Sequence, residues 1–201
     1  MSTKEKVAVM TEKTPSGPDF GAVSSRDVRA KDHLSMAVVL SGASVAWFGW
    51  GHQGALIEGW LRVGMGVAGI ALVAAIIMVR RVPAPPTLAT DPSARKVYWA
   101  SVVAEVVFIL LGAVALVGTG NATYVSTWVL FVVGVHFLPF VRPFNAPILR
   151  YTALGCVVAS AVALWAGLAG WAPAPTMAGV GGGIVLLGFA LILMVTTKRN
   201  A

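Results

Sequence analysis

Six stretches of the chain are almost wholly apolar, and charged residues are concentrated in the segments between them. The apolar stretches run Leu34–Trp50, Ala55–Val79, Val97–Val117, Tyr124–Val141, Ile148–Leu168 and Met177–Thr197. Each approaches the ~20 residues that a helix needs to cross ~30 Å of hydrocarbon. They lack the period-two alternation of a membrane strand. In lipid, moreover, an open strand would leave its N–H and C=O groups without partners. The pattern predicts an all-α fold, a polytopic membrane bundle of six transmembrane helices. The connections after the first, third and fifth spans are short, so the spans are expected to pair as three antiparallel hairpins.

Composition agrees, with 57% hydrophobic and only 11% charged residues, where a soluble domain carries about 25% charged. The net charge of +7 would point a soluble chain toward nucleic acid. Its distribution points elsewhere. All but one of the fifteen Lys and Arg residues fall in four places. These are the N-terminal segment, the second-to-third connection (Arg80, Arg81, Arg95, Lys96), the fourth-to-fifth connection with the first turn of the span after it (Arg142, Arg150) and the C-terminus (Lys198, Arg199). Basic residues stay on the cytoplasmic side of a membrane. Both termini are therefore expected in the cytoplasm, with the protein in a bacterial inner or plasma membrane and no nucleic-acid partner. Trp50, Trp60, Tyr124 and Trp171 mark the outer boundary, and Tyr98 and Trp99 the inner one.

Residues 1–32 read as a disordered cytoplasmic tail, polar and rich in Ser, Thr, Lys and Gly. Residues 33–197 form the transmembrane domain, and 198–201 a short cytoplasmic end. Within the domain, 82–96 reads as a cytoplasmic linker, its 82–94 stretch extended by Pro83, Pro85, Pro86 and Pro92.

Ionisable residues inside the spans are the informative ones, because lipid penalises them by several kcal/mol. Apart from Arg150, in the first turn of the fifth span at the basic boundary, they are Glu58 and Arg62 in the second span, Glu105 in the third and His136 in the fourth. Glu58 and Arg62 stand four apart, the spacing of a helical ion pair. They form either a boundary ion pair or a polar mouth. Glu105 lies ~12 Å and His136 ~9 Å from the same membrane face, at 1.5 Å per residue. Both belong to one hairpin, so they are expected to meet. Glu105, His136, Glu58 and Arg62 are the expected polar intramembrane site. A Glu–His pair relays protons in a wet pocket or, in a dry one, fixes helix packing.

Three residues after His136 stands Pro139, which lacks an N–H and clashes with the carbonyl of Val135. It predicts a kink, or a stop, beside the histidine. Gly64, Gly66 and Gly69 on the second span, and Gly179 and Gly183 on the sixth, are expected to allow close helix packing. The spacing of the last two, GxxxG, also suits a homo-oligomer. There is no nucleophile elbow, HExxH or acidic metal motif, and Cys156 is the single cysteine. No catalytic residue, metal site or cofactor is expected. Ser101, Ser126, Thr127 and Ser160 read as packing hydroxyls.

At GVHFLPF (Gly134–Phe140), with Glu105 on the preceding span, the chain resembles small bacterial integral membrane proteins that carry a G-x-H-F-L-P segment late in a helix. Its Ala-, Gly- and Val-rich composition is similar to that of actinobacterial members. The resemblance implies that Gly134, His136 and Pro139 form one local unit, and it carries over no activity. The leading expectation is a small-solute transporter or permease in membrane lipid, proton-linked through Glu105 and His136. The alternative is a non-catalytic subunit or assembly protein, bound to a protein partner through its glycine-rich helices.

Overall fold

The computed structural model describes residues 24–53 and 57–200, without the side chains of Gln53 and Asn200. It is all-helical, with α1 (Ser25–Trp50), α2 (Glu58–Arg81), a single turn α3 (Thr87–Thr90), α4 (Pro92–Gly118), α5 (Val125–His136), α6 (Ile148–Leu168) and α7 (Ala174–Asn200). Short 3-10 turns, Ala122–Tyr124 and Leu138–Phe140, extend α5 at both ends. With that extension, six helices among the described residues are long and apolar enough to cross a membrane. The protein is a multi-pass membrane protein of the expected class.

Two boundaries differ from the sequence reading. Helix α1 begins at Ser25, a full two turns before the apolar run. Ser24 starts it, its Oγ accepting from the Arg26 N–H at 3.1 Å, as a serine cap does. The rest of the expected tail, residues 1–23, lies outside the described residues, as do 54–56, where the second span was expected to begin, and 201.

The second difference is the 82–96 segment, which is folded rather than extended. It contains α3 and the start of α4. Pro92 occupies the first turn of α4, where its missing N–H costs nothing. The Asp91 carboxylate accepts from the Ser93 N–H at 2.8 Å and caps the helix. Adjacent residues of α1 hold this segment down. Lys31 Nζ donates to the carbonyls of Val79 (2.8 Å) and Val82 (3.0 Å) at the end of α2. The buried Asp32 carboxylate accepts from the Thr87 N–H at 2.9 Å and from the Thr87 hydroxyl.

Helices α1 and α7 form the centre of the bundle and share its most extensive interface. Helix α2 packs on the flank of α1, α6 on that of α7, and α5 on both α6 and α7. Helix α4 is outermost. It packs on α5 and its flanking turns and on α3, and Ala94 is its single buried residue. The core follows this order, with Leu34, Leu40 and Trp47 of α1 meeting Leu186 and Leu193 of α7, and Leu130 and Leu149 closing the other side.

Glycine sets how close the central helices come. A Cβ on Gly179 would stand 2.5 Å from the Gly51 Cα, and one on Gly183 2.6 Å from the Phe48 ring. The Ser44 hydroxyl donates to the Gly183 carbonyl at 2.8 Å across this contact. Gly64 of α2 meets Phe48 from the other side, at 2.9 Å. The GxxxG of α7 is thus used inside the bundle and is not free for a second copy. Gly66 and Gly69 depart from the packing expectation, since nothing lies within 4 Å of a Cβ at either.

Candidate functional site

The face of α4 turned to α5 carries Ser101 and Glu105, one helical turn apart. Across from them His136 ends α5. Its Nδ1 lies 3.2 Å from Ser101 Oγ, 3.4 Å from the Ser101 carbonyl and 3.4 Å from Glu105 Oε2. A carbonyl and a carboxylate can only accept, so these neighbours place the imidazole proton on Nδ1. Good N–H···O bonds run 2.7–3.2 Å. The approach of Glu105 is within ion-pair reach but looser than that. The side chains of His136 and Glu105 are 11% and 20% exposed, so the pair is shielded but not sealed.

Aromatic rings close the site on the α5 side. Phe140 meets the imidazole edge-to-face at 4.7 Å between centroids, and it stacks on Tyr98 of α4 at 5.6 Å. Phe137 and Phe144 extend the cluster. Such pairs contribute ~0.5–1.5 kcal/mol each beyond burial, and they fix the ring plane of His136.

Pro139 ends α5 instead of kinking it. The α-helix stops at His136, and the chain continues through Leu138–Phe140 as a 3-10 turn. Phe137 N–H turns back to the Gly134 carbonyl at 3.2 Å. Asn145 then takes a positive φ of 46° in the turn before α6, a conformation asparagine tolerates better than most residues. The stop leaves His136 at a helix end, where the last carbonyls favour a proton donor.

Gly134 explains why this unit is local. A Cβ there would stand 2.9 Å from the Cys156 Cβ and 3.1 Å from the Ala153 carbonyl of α6. Two residues on, at 100° per residue, His136 points the other way, toward α4. Glycine seats α5 on one neighbour while histidine reaches the other.

A second fastening holds α4 two turns further along. Gly112 leaves a notch filled by Trp128, whose Nε1 would be 1.9 Å from a Cβ at that position. The indole N–H donates to the Phe108 carbonyl at 2.9 Å. Sequence reading missed this pair, and nothing in the residue types announces it. It also left Ser101 as a packing hydroxyl. The signal available there was its four-residue spacing from Glu105.

Glu58 and Arg62 do not join the site. They form an ion pair in the first turn of α2, with Glu58 45% and Arg62 67% exposed. That turn lies at the end of α2 remote from Arg80 and Arg81, whereas His136 and Tyr98 lie near the basic end of the bundle. At 1.5 Å per residue Arg62 lies ~29 Å from the basic end and His136 ~9 Å, so the two are well apart in depth. His52 bonds the Phe48 carbonyl through Nδ1 at 2.9 Å and is partly buried. Among the described residues no group of three His, Cys, Asp or Glu could hold a metal ion.

No family model, curated protein or solved structure matches this chain.

Proposed function

We propose that the protein is a proton-linked membrane transporter for a small solute, with Glu105 and His136 as its protonatable pair and Ser101 bonded to the histidine. It would lie in a bacterial plasma membrane with both ends in the cytoplasm, as the basic connections favour. The observation that carries the reading is the loose contact of Glu105 with His136 at 3.4 Å between an outer helix and the body of the bundle. Protonating either group changes the charge facing the other, and a bond this long tightens or opens with little backbone movement. Because α4 is fixed chiefly through α5, such a change acts directly on its position. Charge placed in the bilayer is expensive and most often functional.

The test uses purified protein in liposomes enclosing a pH-sensitive dye, under an imposed pH gradient, against a panel of radiolabelled small solutes. Uptake of at least one solute with concurrent internal pH change is expected. Glu105→Gln and His136→Ala should each remove the pH dependence and lower uptake at least tenfold, with helical content and melting unchanged. Uptake that persists in both variants overturns the mechanism.

One observation favours the second reading, a non-catalytic membrane subunit. The outer face of α4 exposes Val103, Val107, Leu110, Leu111, Val114 and Val117, a surface that suits a partner helix as well as lipid. The route through glycine-rich α7 is closed, because α1 already covers it. A subunit would therefore bind through α4 or through the open Gly66 and Gly69 face of α2. Native electrophoresis of gently solubilised membranes separates the readings, since a subunit migrates with its partner and loses it when Leu111 on α4 or Gly66 on α2 is changed to Trp.

A further inference from the structure

His33 on α1 and Thr197 on α7 each carry a buried polar atom without a hydrogen-bond partner, Nε2 and Oγ1. Thr197 is 7% exposed. Its neighbour Thr196 turns back to the Ile192 carbonyl at 2.8 Å, as helix threonines commonly do. Thr197 does not, and its hydroxyl is left for another group.

The packing of α1 on α7 shows where both side chains point. The helices run antiparallel, with Gly51 against Gly179 and Phe48 against Gly183. Eighteen residues, or about five turns, lead from Gly51 back to His33 and from Gly179 on to Thr197. Both side chains therefore return to the face on which the two glycines touch, and they do so at the same depth. Between these points the seam is filled by Ala37, Leu40, Leu186, Ala190 and Leu193, none more than 1% exposed. Leaving a buried imidazole or hydroxyl unpaired is costly, and a buried water serves two such groups at once.

Lys31, Asp32 and His33 thus leave α1 in three directions, about 100° apart. Lys31 reaches the end of α2, and Asp32 reaches α3. We propose that His33 completes the set as a proton-sensitive latch, joined to Thr197 of α7 through one buried water. When neutral, its Nε2 accepts from that water. When protonated, it donates to it and carries a charge. The charges that act on the ring are Arg29, one turn back on α1, and Asp32 beside it, whose carboxylate already accepts from Thr87. Lys198 and Arg199 follow Thr197 on α7, and Arg80 and Arg81 end α2. One more positive charge in this company loosens the last turn of α7, so acid opens the latch. The inference is independent of the transport reading, since it rests on none of Ser101, Glu105 and His136.

The test is NMR of the full chain in phospholipid nanodiscs with isotope-labelled histidine nitrogens, the His33 signals being assigned with His33→Gln. In the wild type the His33 ring should titrate between about pH 8 and pH 4.5. Over that range hydrogen exchange of the Thr197, Lys198 and Arg199 amides, corrected for its intrinsic pH dependence, should quicken about tenfold. His33→Gln should remove this acceleration, because a glutamine amide bonds without charging. Thr197→Val should move the His33 midpoint by about half a pH unit or more, and Thr197→Ser, which keeps the hydroxyl, should restore it. A midpoint that ignores Thr197→Val overturns the proposal. So does a wild-type His33 that never titrates, or exchange that is flat with pH, and neither of these depends on any variant's folding.

Discussion

Single residues at the basic end of the bundle do work that a hydropathy profile assigns to no one. Lys31 and Asp32 are successive residues of α1, yet one closes the end of α2 and the other fixes α3. Asp91 starts α4, and the Ser93 hydroxyl, then the Ser93 N–H, hold its carboxyl below the usual carboxylate range. A lowered native pKa means that the cap contributes fully above the ordinary value and is lost as pH falls through the lowered one. Asp91→Ala should therefore melt below the wild type at neutral pH, with the gap closing in acid. Thermal unfolding followed by circular dichroism across that range checks it, and a gap that is constant with pH refutes it.

Elements are joined here by paired small and large side chains rather than by an apolar driving force, which lipid does not supply. Gly112 receives Trp128, Gly134 receives Cys156, and Gly183 receives Phe48. Filling such a notch forces backbone apart, and overpacking typically costs about 1–3 kcal/mol or more. Gly183→Leu should thus lower the melting temperature sharply, while Gly66→Leu, at an open position, should leave it near wild type. Comparable destabilisation by both substitutions would mean that the α2 face is covered in the membrane. Pro139 belongs to this scale too. Kink and stop were both legible from its missing N–H, and the sharp turn that follows, with Asn145 at positive φ, decides for the stop.

At the scale of the molecule, the six spans lead to one testable orientation. The three connections without basic residues lie at one end and the basic ones at the other. With Cys156 replaced by serine, a cysteine at Asn121 should react with an impermeant maleimide added outside intact cells. One at Arg142 should react only after lysis. The reverse labelling pattern would invert the topology and, with it, the direction in which Glu105 and His136 meet the two aqueous phases.

The number of spans and the all-helical class were settled by the sequence alone, because runs of ~20 apolar residues admit no other hydrogen-bonded solution in hydrocarbon. The pairing of Glu105 with His136 was also legible, since depth along two joined helices follows from a fixed rise per residue. Rotation about the helix axes was not. Hydropathy that is high all round a helix carries no record of which face meets which neighbour. Only the tertiary structure therefore decided that Ser101 shares the site, that Glu58 and Arg62 stand apart from it, and that α7 buries its glycines against α1. The physical reason is that these outcomes depend on steric fit between particular notches and rings, a property of pairs of surfaces that no single span contains.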